Sequence, residues 1–330
     1  IAHDFAMDFA PRRAFPQPSP DVCATFFTCE GNGVAGVADL EHTYPAAVRF
    51  LDAQRHNGAP LRYELVWLDN GGAPSVVDDF VARGAQLDRI VRNPTNEGVF
   101  RAANDVWFRG RGCRAPFVLS LEDDRLPRPE LRWDAYLSAA IAVMAADDAV
   151  AGVRLKDEFS DAQVAAVQSD DALRPRYVDA GDPPVRVRYT QQWTETRSGL
   201  VWGSFSMAGV LYDRRRLLER AGTMAEGRPY DELPYDYAEG QYSVRVAHAG
   251  LCTARPHFAD ACVGDAEGPC HRILVERRQP RARDLSDYEW FFWGTELHVA
   301  NRTRRAAEQQ PPPTTTPTPP PTPPPPPYRQ

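Results

Sequence analysis

Residues 116–124 read PFVLSLEDD, and the fold class follows from this stretch. Its first six residues form the clearest continuous apolar run in the chain, with the length of one buried strand. The run leads directly into three carboxylates, Glu122, Asp123 and Asp124. Strands that are apolar throughout are typical of parallel sheets covered by helices on both faces, so we expect an α/β fold.

Short apolar runs alternate with longer amphipathic stretches on both sides of this strand. Such alternation indicates β-α-β units with right-handed crossovers. The periodicity is lost over residues 157–200, which we interpret as a connecting loop or as a mobile cover over a site. We predict further strands at 22–28, 63–68, 87–92, 151–155, 207–212 and 251–255, and helices at 44–55, 75–83, 101–108, 130–146, 214–221, 237–249 and 288–299.

Composition and charge exclude several classes of partner. The 330 residues are 43% hydrophobic and 25% charged, as in a soluble globular protein. The net charge of −7 argues against sequence-independent binding to the phosphate backbone of nucleic acids. No run approaches the roughly 18 to 20 apolar residues of a membrane span, so we expect membrane attachment only through a segment that this chain does not contain.

The cysteines and one sequon bear on the cellular compartment. Six scattered cysteines are too few for a disulfide scaffold, although a bridge between Cys262 and Cys270 is one possibility. No Cys-x-x-Cys pair accompanies His257 or His271, so we reject a zinc site. Together with the glycosylation sequon at Asn301, the possible bridge modestly favours a secretory compartment.

Polar residues follow three of the predicted strands. Thr28-Cys29-Glu30, Asp69-Asn70 and Glu122-Asp123-Asp124 each stand where a strand ends. Ligands of open parallel sheets bind beyond these carboxyl ends. Three adjacent carboxylates repel one another unless a cation is bound, and Mg²⁺ or Mn²⁺ prefers such oxygen ligands. The alternative interpretation is that the acidic run only caps the following helix.

Five motifs stand in a fixed order along the chain: VCATFFTCE (22–30), YELVWLDNGG (63–72), RNPTNEGVFRAAN (92–104), VLSLEDD (118–124) and AEGQYSVRVAHAG (238–250). Their order resembles the GT-A type of nucleotide-sugar glycosyltransferase, close to the family 2 pattern. The resemblance covers roughly residues 21–255, and around LEDD the chain is also similar to the glycoprotein N-acetylglucosaminyltransferases. It implies an α/β, Rossmann-like fold with a mostly parallel central sheet and helices on both faces.

The resemblance implies a donor site and a metal site. Asp124 would be the direct metal ligand, and Asp123 and Glu122 would orient the hydroxyls of the sugar and ribose. A histidine from the second half, His257 or His271, would complete the metal ligands. The residues implied on the nucleotide side are Glu30 and Asp69 near the nucleoside, with Asn93, Asn96 and Asn104 lining the pocket.

The resemblance also implies a catalytic base. Glu239 takes the place of the family's aspartate at the start of a helix, and Ala238 replaces the glutamate that usually precedes it. A glutamate can accept the proton of an acceptor hydroxyl, and Asp236 is the reserve candidate. The reaction would then invert the anomeric configuration. The alternative is that both carboxylates lie in a first helical turn on a solvated face.

These expectations combine into one predicted function and its alternatives. With Mn²⁺ or Mg²⁺ as cofactor, a sugar would be transferred from a UDP-linked donor to a hydroxyl of a glycan or glycoprotein. The expected compartment is the secretory pathway, in the Golgi lumen. The alternatives are an inactive binding or scaffold protein and a nucleotidyltransferase, which needs a basic loop where this chain has Gly31-Asn32-Gly33.

Five segments follow from this interpretation. Twelve of the 31 prolines lie in a Pro and Thr run at the end of the chain, which cannot build a packed core and is expected to be disordered or extended. The predicted segments are an irregular start (1–20), a nucleotide-sugar-binding half (21–156), an acceptor-binding and catalytic half (157–275), a C-terminal packing segment (276–310) and the Pro/Thr-rich tail (311–330).

Overall fold

The structure is a computed structural model that describes residues 19–29, 33–71, 74–122, 125–127, 134–155, 170–182, 184–194, 203–207, 209–224, 238–257 and 275–277. All of them belong to the first of two units, Ile1–Gln279. The strands are β1 (Val22–Cys29), β2 (Arg55–His56), β3 (Ala59–Pro60), β4 (Tyr63–Asn70), β5 (Arg89–Asn93), β6 (Phe117–Glu122), β7 (Arg125–Pro127), β8 (Val150–Arg154), β9 (Arg176–Ala180), β10 (Val185–Gln192), β11 (Val210–Asp213), β12 (Cys252–His257) and β13 (Val275–Arg277). The helices are α1 (Gly33–Ala53), α2 (Pro74–Ala82), α3 (Val99–Trp107), α4 (Tyr136–Ala146), α5 (Asp170–Leu173), α6 (Arg214–Ala221) and α7 (Ala238–His248).

Nine strands form one central sheet in the order β5-β4-β1-β6-β11-β8-β12-β10-β9. The first four run parallel to one another. Of the other five, β11 and β10 are antiparallel to both of their neighbours, while β12 runs parallel to β8. Seven of the nine strands therefore point the same way, which confirms the predicted α/β class with a mostly parallel sheet. Strands from both predicted halves share this sheet, and the boundary near 156 stays a prediction.

The helices cover both faces of the sheet, as predicted. On β1, Ala24 and Phe26 pack into a core cluster with residues of α1, α2 and α4, whereas Cys23 lies in a second cluster with residues of α3, α6 and α7. This alternation is the period of two that a strand imposes on its side chains. Among the described residues, no helix has the length and apolarity required to cross a bilayer.

Two element predictions were wrong. The first helix begins at Gly33, not at 44, and Pro45 lies inside it. The region 157–200 contains α5, β9 and β10, where we predicted only a loop. In β10 the buried Val187 and Tyr189 alternate with exposed arginines, and this pattern is typical of a strand with one solvated face.

Several predictions lie outside the described residues. These are the first part of the helix at 130–146, the helix at 288–299, the bridge between Cys262 and Cys270, and the Pro/Thr-rich tail. A different disulfide joins Cys23 to Cys113 across 90 positions of sequence. It ties the start of β1 to the segment before β6, and the sequence offered no spacing pattern from which to predict it.

Candidate functional site

The carboxyl ends of four neighbouring strands meet at one edge of the sheet. In the parallel register, Thr28 of β1 lies opposite Asp69 of β4, and Phe27 lies opposite Glu122 of β6. Asn70 of β4 in turn lies opposite Asn93 of β5. The three polar strand ends singled out in the sequence are therefore brought together. Of the residues beyond them, Glu30, Asp123 and Asp124 lie outside the described part of the chain.

Asn70 is the centre of a hydrogen-bonded cluster at this edge. Its side chain is 3% exposed, and its Oδ1 accepts from Nδ2 of Asn93 at 3.0 Å and from the amide of Glu97 at 3.1 Å. Its Nδ2 donates to Oδ1 of Asn96 at 2.9 Å, and that oxygen also accepts from the amide of Gly98 at 2.9 Å. The loop between β5 and α3 is therefore fixed on the end of β4. The sequence analysis named Asn70 only as part of the polar strand end Asp69-Asn70 and gave it no role in the site.

The turn after β4 packs against the same loop. Gly71 has a φ of +77°, and a Cβ at this position would lie 2.2 Å from the amide nitrogen of Asn96. Only glycine fits both the backbone conformation and the space. The DNGG and NPTNEG motifs thus contact each other directly, as two walls of one pocket would.

Arg111 supports this cluster from the side of α3. Its Nη1 donates to Oδ1 of Asn93 at 3.1 Å and to the carboxylate of Asp105 at 2.6 Å, and Arg109 contributes a second contact to Asp105 at 3.0 Å. Burial by itself would raise the pKa of Asp105, but the hydrogen bonds from Arg111 and Arg109 outweigh burial and hold this pKa below its ordinary value. The side-chain amide of Asn93 therefore donates to Asn70 and accepts from Arg111. Its contact with a nucleotide stays a prediction.

Two further residues predicted on the nucleotide side are buried. Asp69 is 2% exposed at the end of β4. Asn104 is fully buried in α3, where its Nδ2 donates to the carbonyl of Met224 and its Oδ1 accepts from the amide of the same residue, both at 2.9 Å. In this structure Asn104 holds the segment after α6 against α3. Its predicted role in lining the pocket is not tested.

Glu239 lies in the first turn of α7 and is 7% exposed. Its Oε1 accepts a hydrogen bond from the amide of Met207 at 2.7 Å. The alternative interpretation of this residue as a carboxylate on a solvated face is therefore wrong. Burial raises the pKa of the nearby Tyr212 phenol; the charge of Arg154 opposes this rise and the charge of Glu239 adds to it. The charges of Glu239 and Arg154 therefore shift the pKa of the same buried phenol in opposite directions.

The segment 203–207 holds the start of α7 in place. Oγ of Ser243 lies 2.6 Å from Oγ1 of Thr194 and accepts from the amide of Phe205 at 3.2 Å. The amide of Thr194 donates to Oγ of Ser204 at 2.9 Å. These buried hydrogen bonds fix α7, and with it Glu239, on the face of the sheet that α3 also covers.

The remaining predicted site residues are not described well enough to place their side chains. Asp236 and His271 lie outside the described residues, and of Glu122 and His257 only the backbone is described. Within the described part of the chain, one group has side chains close enough to share a metal ion, namely Cys23, Glu64 and Cys113. Its two cysteines are bonded to each other, so this group is not a metal site.

Comparison with known proteins gives matches only among solved structures. No protein-family model and no curated protein matches the sequence. The chain is similar to the mannosyltransferase PcManGT from Pyrobaculum calidifontis in complex with GDP-Man and Mn²⁺, at 18% identity and a TM-score of 0.42 over 74% of this chain and 56% of that one. It is also similar to S. aureus TarS 1–349 (11%, TM-score 0.43, 71% and 57%) and to GalNAc-T7 with UDP, GalNAc and Mn²⁺ (10%, TM-score 0.44, 80% and 44%).

The chain spans about half of the length of these proteins, between 44% and 57%. Likeness at such low identity and TM-score assigns no activity, because one fold hosts many functions. The function has to be argued from the residues at the carboxyl edge of the sheet.

Proposed function

We propose that this chain is a metal-dependent glycosyltransferase of the GT-A type, which moves a sugar from a nucleotide-sugar donor to a hydroxyl of a glycan or glycoprotein. The observation that carries the proposal is the cluster around Asn70. It joins the ends of β4 and β5 directly beside β1 and β6, and the acidic run follows β6. These ends belong to motifs as far apart in the sequence as residues 27 and 122, and they lie at one edge of the sheet.

The donor side of the proposed site takes its charge from the acidic run. Glu122 ends β6 at the edge where Asp69 and Asn70 end β4. In the sequence, Asp123 and Asp124 come directly after Glu122. Three consecutive carboxylates offer the oxygen ligands that a hard divalent cation such as Mn²⁺ or Mg²⁺ prefers. Asp124 would hold the ion, with His257 or His271 as a further ligand. When bound, the ion would offset the negative charge that develops on the leaving diphosphate.

The acceptor side of the proposed site is built around Glu239. The amide of Met207 holds Oε1 in place, and the buried setting keeps the carboxylate out of bulk water. Glu239 would accept the proton of the acceptor hydroxyl while that oxygen bonds to the anomeric carbon. The bond between that carbon and the diphosphate oxygen breaks on the opposite side, so the configuration inverts. Asp236 remains the reserve base.

We also place the protein in the secretory pathway. The Cys23–Cys113 bridge is buried at both ends, and structural disulfides form in oxidising compartments and are rare in the cytosol. Mass spectrometry of the natural protein checks this placement, since free thiols at these two positions would contradict it. The donor nucleotide is proposed to be UDP.

A hydrolysis screen over UDP- and GDP-sugars with Mn²⁺ tests the function. We expect wild-type protein to release nucleoside diphosphate, and Asp124→Asn and Glu239→Gln each to lose at least about 100-fold of the rate, because each removes charge or proton transfer from the transition state. Glu219→Gln is the matched control, since the carboxylate of Glu219 lies on the exposed side of α6 with 64% of its side chain accessible. If both site variants kept the wild-type rate, the site assignment would be wrong.

A further inference from the structure

Tyr212 of β11 is a fully buried phenol to which the proposed reaction assigns no role. Its hydroxyl donates to the carbonyl of Ser206 at 2.8 Å and accepts from the amide of the same residue at 2.8 Å. Because burial raises the pKa of this phenol, the hydroxyl stays protonated and serves as donor and acceptor at once. One side chain therefore holds both backbone groups of Ser206.

The residue that follows Ser206 holds the proposed base. The amide of Met207 donates to Oε1 of Glu239 at 2.7 Å. The Ser206 carbonyl and the Met207 amide belong to the same peptide group, whose atoms lie in one plane because the C–N bond has partial double-bond character. The Tyr212 hydroxyl and the Glu239 carboxylate are therefore hydrogen-bonded to one rigid group.

The ring of Tyr212 is itself fixed on the central sheet. It stacks on Phe205 with the ring centroids 5.0 Å apart, and a Cβ at Gly152 of β8 would lie 2.4 Å from the ring. Only glycine at position 152 leaves room for the ring where it lies. On its other side, β11 pairs with β6, so that Tyr212 lies opposite Val118. The phenol is therefore fixed relative to the strand that ends at Glu122.

We propose that Tyr212 is a positioning residue for the proposed base, which holds the carboxylate of Glu239 in place through the peptide group between Ser206 and Met207. This role rests on the proposed function, because it requires Glu239 to accept the proton of the acceptor. A general base has to lie within hydrogen-bond reach of the proton that it removes, and a small displacement lowers the rate. Hydrogen bonds in a chain also polarise one another, so the bond to the Ser206 carbonyl strengthens the Met207 amide as a donor.

Steady-state kinetics of nucleoside diphosphate release from the donor tests this role. Tyr212→Phe keeps the ring and removes only the hydroxyl. We expect kcat per folded molecule to fall by roughly 5- to 50-fold while KM for the donor stays within about twofold, because the base is displaced and the donor site is not. A residue that only stabilised the fold would leave both constants unchanged for the folded molecules.

Tyr242→Phe is the matched control. Tyr242 is also fully buried, and its hydroxyl donates to the carbonyl of Gly222 at 2.8 Å, outside segment 203–207. Each substitution removes a buried hydroxyl, so both should lower the melting temperature, but Tyr242→Phe should keep kcat within about twofold of wild type. Ser243→Ala is a second test variant, in case Tyr212→Phe does not fold. It removes the acceptor of the Phe205 amide at 3.2 Å, and kcat should fall by roughly 2- to 5-fold with KM unchanged.

Combination with Glu239→Gln separates this role from the proposed function. If Tyr212 acts through Glu239, adding Tyr212→Phe to Glu239→Gln should change kcat by less than about twofold. An equal loss in both backgrounds, or an equal loss of kcat in Tyr212→Phe and Tyr242→Phe, overturns the positioning role. If Glu239→Gln loses activity while Tyr212→Phe, or Ser243→Ala in its place, keeps the wild-type kcat, the base stands and the positioning role is overturned. If Glu239→Gln keeps the wild-type rate, or if the wild type hydrolyses no donor, both proposals are overturned.

Discussion

The two ends of the parallel strands carry buried polar groups of different kinds. At the amino ends, Glu64 at the start of β4 accepts from the amides of Arg114 at 2.5 Å and Ala115 at 2.9 Å, close to the Cys23–Cys113 bridge. At the carboxyl ends, the amide side chain of Asn70 joins loops. At the amino end, the Glu64 side chain and the disulfide hold backbone segments of the fold together. The carboxyl end holds loops at the edge where ligands of this fold class bind.

Arg214 is a second side chain that holds backbone segments together at the amino end of the strands. Its guanidinium donates to the carbonyls of Trp107 at 3.0 Å and Cys113 at 2.6 Å. Burial lowers the pKa of Arg214, and the charge of Glu64 opposes that shift. A half-buried charge with this many internal partners is costly to disturb. We therefore expect changes at the amino end to affect stability, and changes at the carboxyl end to affect ligand binding as well.

Removing the disulfide should give the largest loss of stability. The double substitution Cys23→Ser and Cys113→Ser opens a link across 90 positions of sequence, and such links typically contribute about 2 to 4 kcal/mol to the free energy of unfolding. Urea denaturation measures the loss. Because the bridge lies at the amino end, the hydrolysis rate per folded molecule should stay within about twofold of wild type.

A buried cysteine that forms no disulfide provides the control for the double variant. Cys252 forms no disulfide, and burial raises the pKa of its thiol. Cys252→Ala removes a buried sulfur without opening a link, so it should cost only about 1 kcal/mol. Equal stability losses for the two variants would show that the bridge adds nothing beyond packing. If the double cysteine variant had a changed hydrolysis rate per folded molecule, the amino end would contribute to activity as well as to stability.

Gly71→Ala should give an intermediate loss of stability together with a loss of donor affinity. The new Cβ would lie 2.2 Å from the amide nitrogen of Asn96, so the turn and the loop have to separate. We expect about 1 to 3 kcal/mol in the free energy of unfolding, the usual cost of strain and displaced backbone. Nucleoside diphosphate affinity should fall with it, because this turn forms one wall of the proposed pocket. Calorimetry and urea denaturation measure the two effects.

Gly98 offers a matched control for the close approach at Gly71. Its φ is +80°, close to the +77° of Gly71, but a Cβ there would meet nothing within 4 Å. Gly98→Ala therefore carries backbone strain without the clash, and because φ +80° with ψ 147° is a conformation almost confined to glycine, it should cost about 1 to 2 kcal/mol, less than Gly71→Ala. Equal effects of the two substitutions would show that contact between the two motifs is unimportant.

The fold could be predicted from the sequence where one local signal decided an element. The apolar run at 116–121 became β6 (Phe117–Glu122), and the predicted helix at 214–221 became α6 (Arg214–Ala221). β10 was missed because its solvated arginines gave the segment a polar composition that hid the alternation of Val187 and Tyr189. The disulfide was missed because a separation of 90 positions leaves no local pattern.

The candidate site could be predicted only in part from the sequence. The resemblance implied that Asp69, Asn93 and Asn96 would belong to one site, and the structure brings the ends of β4 and β5 and the loop after β5 to one edge of the sheet. The role of Asn70 depends on partners 23 to 27 positions away, which only the folded chain selects. Likewise, the buried contact of Glu239 with the amide of Met207 joins positions 32 residues apart, which only the folded chain brings together.

The smallest expected effect concerns Asp105, which supports the carboxyl end through Arg111. Since its pKa is held below the ordinary value of 3.8, its charged form stabilises the folded state above that pH, and this contribution disappears as the pH falls through the lowered pKa. Asp105→Asn should therefore cost about 1 kcal/mol at pH 7 and progressively less below about pH 4. Urea denaturation of both proteins between pH 3 and 7 measures this difference. If the difference stayed constant over that range, the charge of Asp105 would contribute nothing, and Arg111 would hold Asn93 through geometry alone.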